Sequence, residues 1–241
     1  MVHTLQDYST KYKLLRTYSN IDNNELAARL GSIDKFDRRG TVNYLDDMEH
    51  SLNSWHKVPT GIGSSITPSI DTYLTGEQSC KLVTGNLANE TSYIQKWLPY
   101  SAISKTGIEV NVSLPDEVVV FSVNATYFTG TVYQRYIMTY DEDDEELQIA
   151  TGGNNAETYK TSFTLPGQTY MFNIMKMVFD PTTGYYTRFI VNETEYDVSA
   201  YPGRTAGSGV TPLILLEITL QTKAAANKTC YVDNVIVTEN E

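Results

Sequence analysis

The feature that most constrains the fold is a long series of short β-branched and aromatic segments separated by turn residues, which begins near residue 43. Such segments predict strands, because Val, Ile, Thr, Tyr and Phe suit a half-buried pleated surface. Glycine marks two of the turns, in FTGT at Phe128–Thr131 and in DPTTGYY at Asp180–Tyr186. The predicted strands are Tyr44–Met48, Ser79–Val83, Gly107–Val112, Glu117–Tyr127, Thr131–Tyr140, Glu146–Ala150, Thr158–Phe163, Tyr170–Phe179, Tyr185–Val191, Glu195–Val198, Pro212–Gln221 and Thr229–Thr238.

About a dozen strands with one short helix predict an all-β fold, in which two antiparallel sheets pack face to face around one core. The 241 residues suffice for one large domain of this kind. We therefore predict a two-sheet sandwich over residues 41–241 and an N-terminal arm over residues 1–40. The arm contains NNELAARLGSI, Asn23–Ile33, which predicts a short helix that ends at Gly31. We expect the arm either to pack on the sandwich or to dock on a neighbouring subunit.

Charge and hydropathy exclude several function classes. The net charge of −11 argues against nucleic acid and against anionic membranes, because both require a basic patch. No apolar run approaches about 18 residues, so no transmembrane helix is predicted. The N-terminal MVHTLQDYSTKYKLL lacks the apolar segment of a signal peptide, and synthesis in the cytoplasm is expected.

The two cysteines, Cys80 and Cys230, do not form a disulfide scaffold in a chain of this length. One interpretation is that both are small buried hydrophobic residues. The other is a single bridge, which requires the segments SCKLV and TCYVDNV to lie side by side. Metal binding by this pair alone is not expected, because no CxxC motif or histidine stands at ligand spacing.

Four stretches occur in an order that resembles jelly-roll modules of the carbohydrate-binding and laminin G/concanavalin A-like kind. They are DDMEHSLNSW, GEQSCKLVTG, MKMVFDPTTGYYTRFIVNETEYDVS and the C-terminal CYVDNVIVTE. The resemblance extends over residues 41–241 and implies a jelly-roll topology, in which the last strand runs beside the first. It is a resemblance of fold, and a fold hosts many functions.

The resemblance also implies a structural calcium ion that ties the first strand to the last. The matching residues are Glu49, Glu77 and Asp233, with Asp47 as a substitute. Calcium takes six to eight oxygen ligands, so carboxylates from three distant segments suit it. The alternative is that these acids face water at the sheet edge, where charge discourages pairing with other chains.

A second acidic cluster, DEDDEE at Asp141–Glu146, lies between two predicted strands. It lacks the spacing of an EF-hand loop. We predict a solvated hairpin loop, with a cation site as the alternative.

No catalytic motif is visible. Glycosidases of concanavalin A-like fold carry alternating carboxylates on one strand, in the pattern E-x-D-x-x-E, and no predicted strand has it. Glu217 is a lone acid in its strand, and the histidines, His3, His50 and His56, belong to no Ser-His-Asp arrangement. The prediction is that the protein is not an enzyme.

A glycan site requires exposed aromatic residues beside a few polar ones. The candidates are Trp55, Trp97, Tyr133, Tyr136, Tyr185, Tyr186 and Arg188, of which Trp55, Tyr133, Tyr185 and Arg188 form the predicted ligand-binding set. Alternation along a strand turns Tyr133 and Tyr136 to opposite faces, and does the same for Tyr185 and Tyr186. Ordinary sandwich packing is the alternative, for Trp55 above all.

Three functions follow in order of preference. The first is a non-enzymatic module on the surface of a phage or virus-like particle, with the N-terminal arm contacting other subunits. The second is a glycan-binding module, at a cell surface or associated with a carbohydrate-active enzyme. The third is a glycosidase or lyase. The expected location is a virion or extracellular surface, and the high negative charge would keep a densely displayed protein soluble.

Overall fold

The computed structural model describes residues 39–99, 104–152, 157–167 and 170–241. Within these ranges the chain forms sixteen strands in two eight-stranded antiparallel sheets, and the helical content is one 3₁₀ turn at Leu52–Ser54. The predicted all-β sandwich is therefore confirmed. The helix predicted over Asn23–Ile33 lies outside the described residues, so the arm stays a prediction. No helix in the described ranges is long and apolar enough to span a membrane.

The first sheet contains the C-terminal strand at its centre. Its strands are β1 (Thr41–Asp46), β3 (Ser65–Ser69), β4 (Ser79–Val83), β6 (Thr106–Ser113), β11 (Asn173–Asp180), β12 (Tyr185–Val191), β13 (Thr194–Asp197) and β16 (Thr229–Glu239). Their order is β13-β12-β11-β6-β16-β4-β3, and β1 also pairs with β16. The last strand thus runs beside the first, as the resemblance implies.

The second sheet is built around β15. Its strands are β2 (His56–Pro59), β5 (Thr91–Pro99), β7 (Val119–Phe128), β8 (Val132–Asp141), β9 (Glu146–Ile149), β10 (Glu157–Lys160), β14 (Arg204–Gly207) and β15 (Leu213–Thr222). Their order is β10-β9-β8-β7-β15-β5-β2, and β14 pairs with the first half of β8. This sheet carries the candidate site on the face that points away from the core.

Each predicted strand overlaps an observed one, but β2, β3, β5 and β14 were not predicted. Pro59 and Pro68 weaken the signal of β2 and β3, and both strands lie at a sheet edge, where proline is tolerated. In β5 the inward-facing series includes Ser92 and Lys96, so the apolar alternation is broken.

The core lies between the two sheets and follows the alternation along each strand. In β15 the inward series Ile214, Leu216, Ile218 and Leu220 is buried, and the residues between them are half-buried on the outer face. Aromatic contacts join the sheets: Tyr136 of β8 stacks on Phe179 of β11, with ring centroids 4.1 Å apart. Removing such large buried side chains costs roughly 3–5 kcal/mol.

Cys80 and Cys230 lie on the neighbouring strands β4 and β16, and both are free and buried. The register places Val232 opposite Cys80 and Leu82 opposite Cys230, so the two thiols are diagonal neighbours. Diagonal Cα atoms are roughly 7–8 Å apart, beyond the usual reach of a disulfide. Burial raises the pKa of Cys80 to about 12. The interpretation as buried hydrophobic residues is confirmed.

Candidate functional site

A groove runs over the outer face of the second sheet and has a volume of about 350 Å³. It is formed by the outward side chains of β7, β8 and β15, together with neighbours from the flanking loops. Its central residues are Ser122, Asn124, Arg135, Ile137, Thr139, Asp141, Glu217, Thr219 and Gln221. The sheet is thus polar on the side that faces solvent, and we call this surface the groove.

Strand register arranges the outward residues in rows across the sheet, from an apolar end to a charged end. The first row is Leu213, Phe128 and Tyr133; the second is Trp97, Leu215, Thr126 and Arg135; the third is Gln95, Glu217, Asn124 and Ile137; the fourth is Tyr93, Thr219, Ser122 and Thr139. The row beyond these ends in Asp141, which pairs with Lys223. Such a gradient offers apolar and polar contacts to one ligand.

Glu217 is the carboxylate at the centre of the groove, and neutral donors hold it in place. Gln95 Nε2 donates to Glu217 Oε2 at 2.7 Å, and Asn124 Nδ2 donates to Glu217 Oε1 at 3.3 Å. The Thr219 hydroxyl also lies 3.4 Å from Glu217 Oε1. The side chain is therefore fixed in one orientation while its charge remains available, which suits an acceptor for ligand hydroxyl groups.

Asn124 connects this carboxylate to a cation. The Arg135 Nε–H donates to Asn124 Oδ1 at 3.2 Å, while the Asn124 amide nitrogen donates to Glu217. The amide orientation is therefore determined by its neighbours, because the oxygen must face the guanidinium and the nitrogen must face the carboxylate. Arg135, Asn124 and Glu217 form one preorganised polar chain across three strands.

Trp97 provides an aromatic surface beside the polar chain. It lies on the outer face of β5, in the row of Arg135, and 52% of its surface is exposed. The His56 ring packs against it with a centroid distance of 5.5 Å, which supports one side of the indole. An exposed indole at the margin of a polar groove is suited to stacking on the apolar face of a ring-shaped ligand.

The predicted ligand-binding set is not brought together. Tyr133 lies at the apolar end of the same sheet face, outside the groove lining, half-buried beside Phe128. Tyr185 is 44% exposed but belongs to β12 in the other sheet, and Tyr186 points to the opposite face, into the core.

Two members of that set, contrary to the prediction, are not accessible to a ligand. Trp55 is only 3% exposed, and its Nε1–H donates to Asp46 Oδ2 at 2.9 Å, so it is a core residue that no ligand can reach. Arg188 is 7% exposed and forms an ion pair with Glu241, so its guanidinium is committed within the fold.

The predicted calcium ligands Glu49 and Asp233 meet at the same loop. The Glu49 carboxylate accepts from the main-chain N–H of Glu77 at 3.0 Å and from that of Gln78 at 3.1 Å. Asp233 Oδ2 accepts from the N–H of Leu74 at 2.8 Å and from that of Thr75 at 3.2 Å. The loop therefore links the first strand to the last through its own N–H groups.

The other two predicted ligands do not join them as side chains. Glu77 contributes its main-chain N–H and its side chain is exposed, while Asp47 accepts from the Glu49 N–H at 3.1 Å. Within the described residues no group of three or more His, Cys, Asp or Glu side chains is placed to hold a metal. Glu49 and Asp233 fit part of an oxygen ligand set, but the three-carboxylate set is not assembled, and calcium stays a prediction.

Asp233 has an altered acidity. Its side chain is buried, and burial raises its pKa from the usual value near 3.8 to about 6, with the negative charge of Glu49 adding to the increase. The N–H groups of Leu74 and Thr75 act in the opposite direction.

The acidic loop between β8 and β9 contacts a cation of the protein itself. Lys223 Nζ lies 2.9 Å from Asp141, 3.6 Å from Asp143 and 2.5 Å from Asp144. This ammonium lowers the pKa of Asp144. Asp143 and Asp144 are themselves about half exposed, in agreement with a solvated hairpin loop.

The groove does not combine Glu217 with a second carboxylate. Asp141 is the other acid in its central part, and the register places it two strands away from Glu217 and four residues further along. This corresponds to roughly 16 Å between Cα atoms. The carboxyl groups of glycosidase pairs lie about 5–10 Å apart. The two side chains would have to extend toward each other to reach that range, and the Asp141 carboxylate is instead bound by Lys223.

Comparisons of the structure with solved proteins identify the fold. A protein of unknown function with a galectin-like fold from Bacillus subtilis has a TM-score of 0.53 and 12% identity, covering 84% of this chain and 97% of its own. The carbohydrate recognition domain of Emp46p has a TM-score of 0.51 and 8% identity, covering 81% and 93%. A carbohydrate esterase of the Shiga toxin-encoding bacteriophage phi24B has a TM-score of 0.51 and 12% identity, covering 84% and 100%.

No protein-family model and no curated protein matches the sequence. At 8–12% identity, these structural matches establish the fold and leave the chemistry to the site itself. The fold-level resemblance expected from the sequence motifs is confirmed: the chain is a jelly-roll sandwich of the concanavalin A/galectin-like kind.

Proposed function

We propose that the protein is a non-catalytic carbohydrate-binding module whose groove holds the glycan. The observation that carries this proposal is the exposed Trp97, which shares one sheet face with the fixed polar chain of Arg135, Asn124 and Glu217. Sugars present an apolar ring face and a rim of hydroxyl groups, and this surface matches both.

The contacts divide the recognition between two sets of residues. The indole of Trp97 packs on the apolar face of a sugar ring, while Glu217 and the amides of Gln95 and Asn124 exchange hydrogen bonds with its hydroxyl groups. Because these polar side chains already hold one another, little side-chain entropy is lost when the ligand binds. The groove requires no metal ion for this role.

The test is a glycan array followed by titration of the best ligand, in calcium and in chelator. We expect Trp97→Ala to weaken binding roughly tenfold, the upper end of a ring-stacking contribution. Tyr185→Ala is the matched control, because it removes an aromatic side chain of similar exposure from the other sheet. Absence of any glycan ligand, or weakening by the Tyr185 substitution alone, would contradict the proposal.

We propose further that the module is displayed on a surface, either that of a phage or virus-like particle or that of a cell. The supporting observation is the net charge of −11, which limits nonspecific association in a dense array. Sedimentation of the whole chain tests this second function, since a subunit of an assembly is expected to self-associate or to co-sediment with particles. A chain that sediments only as a free monomer would argue against particle display.

A further inference from the structure

We propose that the groove selects an acidic sugar, whose carboxylate or sulfate group is bound by Arg135. This inference rests on the proposed glycan-binding function and deepens it by naming the ligand class. Three observations support it: the neutral hydrogen-bond acceptor of Arg135, the second guanidinium on the next strand, and the balanced charge of the groove lining in a strongly negative chain.

Arg135 presents its guanidinium to the groove without a carboxylate partner among the described residues. Its hydrogen bond there joins Nε to Asn124 Oδ1, a neutral acceptor, and holds the plane of the group in one orientation. The terminal Nη groups remain for a ligand. Other arginines behave differently: Arg39 pairs with Glu195 at 2.7 Å, and Arg188 pairs with Glu241. A half-buried, oriented guanidinium suits two-point recognition of an oxyanion.

A second guanidinium lies directly across the sheet. Arg204 of β14 is the register partner of Arg135 of β8, so both side chains leave the sheet on the same face. Arg204 has an interaction of its own within the fold, and its positive charge stands on the same face as that of Arg135.

The neighbouring acid does not cancel this site. The amide of Asn124 separates Arg135 from Glu217, and the Glu217 carboxylate accepts hydrogen bonds from Gln95, Asn124 and Thr219 instead of pairing with the guanidinium. At the far end of the groove Asp141 is paired with Lys223. The groove lining thus balances two acids with two bases in a chain whose net charge is −11. The groove lining therefore lacks the negative charge excess of the whole chain.

Two protein side chains bind different groups of the same sugar. The oxyanion lies against Arg135, and ring hydroxyl groups on the same sugar donate to Glu217. A neutral sugar would retain the Trp97 and Glu217 contacts but leave the guanidinium without its charged partner. Selectivity for acidic over neutral glycans is the expected consequence.

The test uses calorimetric titration of the whole chain with matched oligosaccharides. Trigalacturonate and its methyl ester have the same sugar backbone, but esterification removes the carboxylate charge and adds a methyl group, and a heparin-derived tetrasaccharide supplies sulfate as the alternative oxyanion. We expect trigalacturonate or the sulfated probe to bind roughly 10- to 100-fold more tightly than the methyl ester, the range of a charge-assisted hydrogen bond. Which probe binds identifies the oxyanion.

Three variants separate the explanations. Arg135→Gln should abolish the preference for acidic probes, so that trigalacturonate and its methyl ester bind equally, whatever affinity both lose through the contact of Arg135 with Asn124. Arg135→Lys keeps the charge but not the two-point geometry, and should lose only part of the preference. Arg39→Gln removes an equal charge far from the groove, beside the first sheet, and should leave the affinity for every probe unchanged. Thermal unfolding verifies that each variant is folded.

The failures are distinguishable. Equal binding of charged and neutral probes, or an unchanged preference in Arg135→Gln, would overturn the acidic-ligand inference and leave the glycan-binding proposal intact. Absence of binding by every probe and by the glycan array would overturn both.

Discussion

The outer faces of the two sheets both carry charged side chains, but these are buried on the first sheet and accessible on the second. On the first sheet, Glu109 and Lys176 are almost fully buried. On the second sheet, Arg135 and Glu217 are half-buried and line an open groove. The comparison teaches that outward polar residues on a jelly roll do not by themselves mark a binding site, because a site also needs access.

The buried charges of the first sheet compensate one another. Lys176 Nζ lies 2.7 Å from Glu241 Oε1 and 4.0 Å from Glu109 Oε2, while Arg188 and the Thr238 hydroxyl also contact the Glu241 carboxylate. Water cannot solvate these groups, so each depends on its protein partners. We interpret this face as structural and the groove as functional.

The largest expected effect is on the structural face. Lys176→Met should lower the free energy of unfolding by about 3–5 kcal/mol, because it removes the buried cation that the Glu109 and Glu241 carboxylates share. Lys81→Met is the matched control, since Lys81 pairs with Asp71 at 3.0 Å on the same sheet but is partly exposed, and should cost about 1 kcal/mol or less. Denaturant unfolding measures both. Equal losses would mean that burial does not make the ion pairs of Lys176 matter more than a partly exposed one.

The next effect concerns Asp233, whose pKa is raised to about 6 by burial. Between about pH 4 and pH 6 the folded chain holds this proton while the unfolded chain has released it. The free energy of unfolding should therefore rise as pH falls through 6, by up to about 3 kcal/mol, and lose this contribution at neutral pH. The measurement is denaturant unfolding in chelator across that range. Glu49→Gln should shift the transition to lower pH, because the charge of Glu49 raises the pKa of Asp233.

The same unfolding measurement, repeated with calcium, tests the predicted metal site. If Glu49 and Asp233 hold the predicted ion, calcium should raise the free energy of unfolding at pH 7 by roughly 2.7 kcal/mol at a hundredfold excess over its dissociation constant. The gain should fall at pH 5, where protonation of Asp233 competes. Identical unfolding curves in calcium and chelator at pH 7 would remove the calcium prediction.

The smallest effect is expected at the charged end of the groove. Lys223→Met removes the cation shared by Asp141, Asp143 and Asp144, and should cost about 1 kcal/mol or less because Lys223 is partly exposed. The loss should shrink at high salt, which screens the remaining acids. A salt-independent loss of several kcal/mol would place this cluster with the buried charges of the first sheet.

The sequence predicted the strand-rich fold well and the site only in part. Alternation correctly placed Tyr185 and Tyr186 on opposite faces, because side-chain direction in a strand is a local property. It did not predict β5, which places Gln95 and Trp97 on the same sheet face as the groove, because Ser92 and Lys96 interrupt the inward apolar series. Nothing in the sequence connected Arg135 with Asn124 and Glu217, since their contacts depend on strand pairing.

Two of the predicted ligand-binding residues are buried. Tryptophan and arginine are residue types that are common in binding sites, but the packing of distant segments places Trp55 in the interior beside a 3₁₀ turn and Arg188 in the interior beside Glu241. The sequence could not show which of the two tryptophans, Trp55 or Trp97, is exposed, because they are the same residue type. Their exposed fractions, set by tertiary contacts, decide which one can meet a ligand.

The sequence by itself determined the all-β class, the alternation of each strand and the acidic character of the chain, because these depend on nearest neighbours and composition. Tertiary structure decided which outer face is open, which acids meet, and that Arg135, Asn124 and Glu217 share one groove. These residues stand on three strands up to 93 positions apart, and only the pairing of β8, β7 and β15 brings them together.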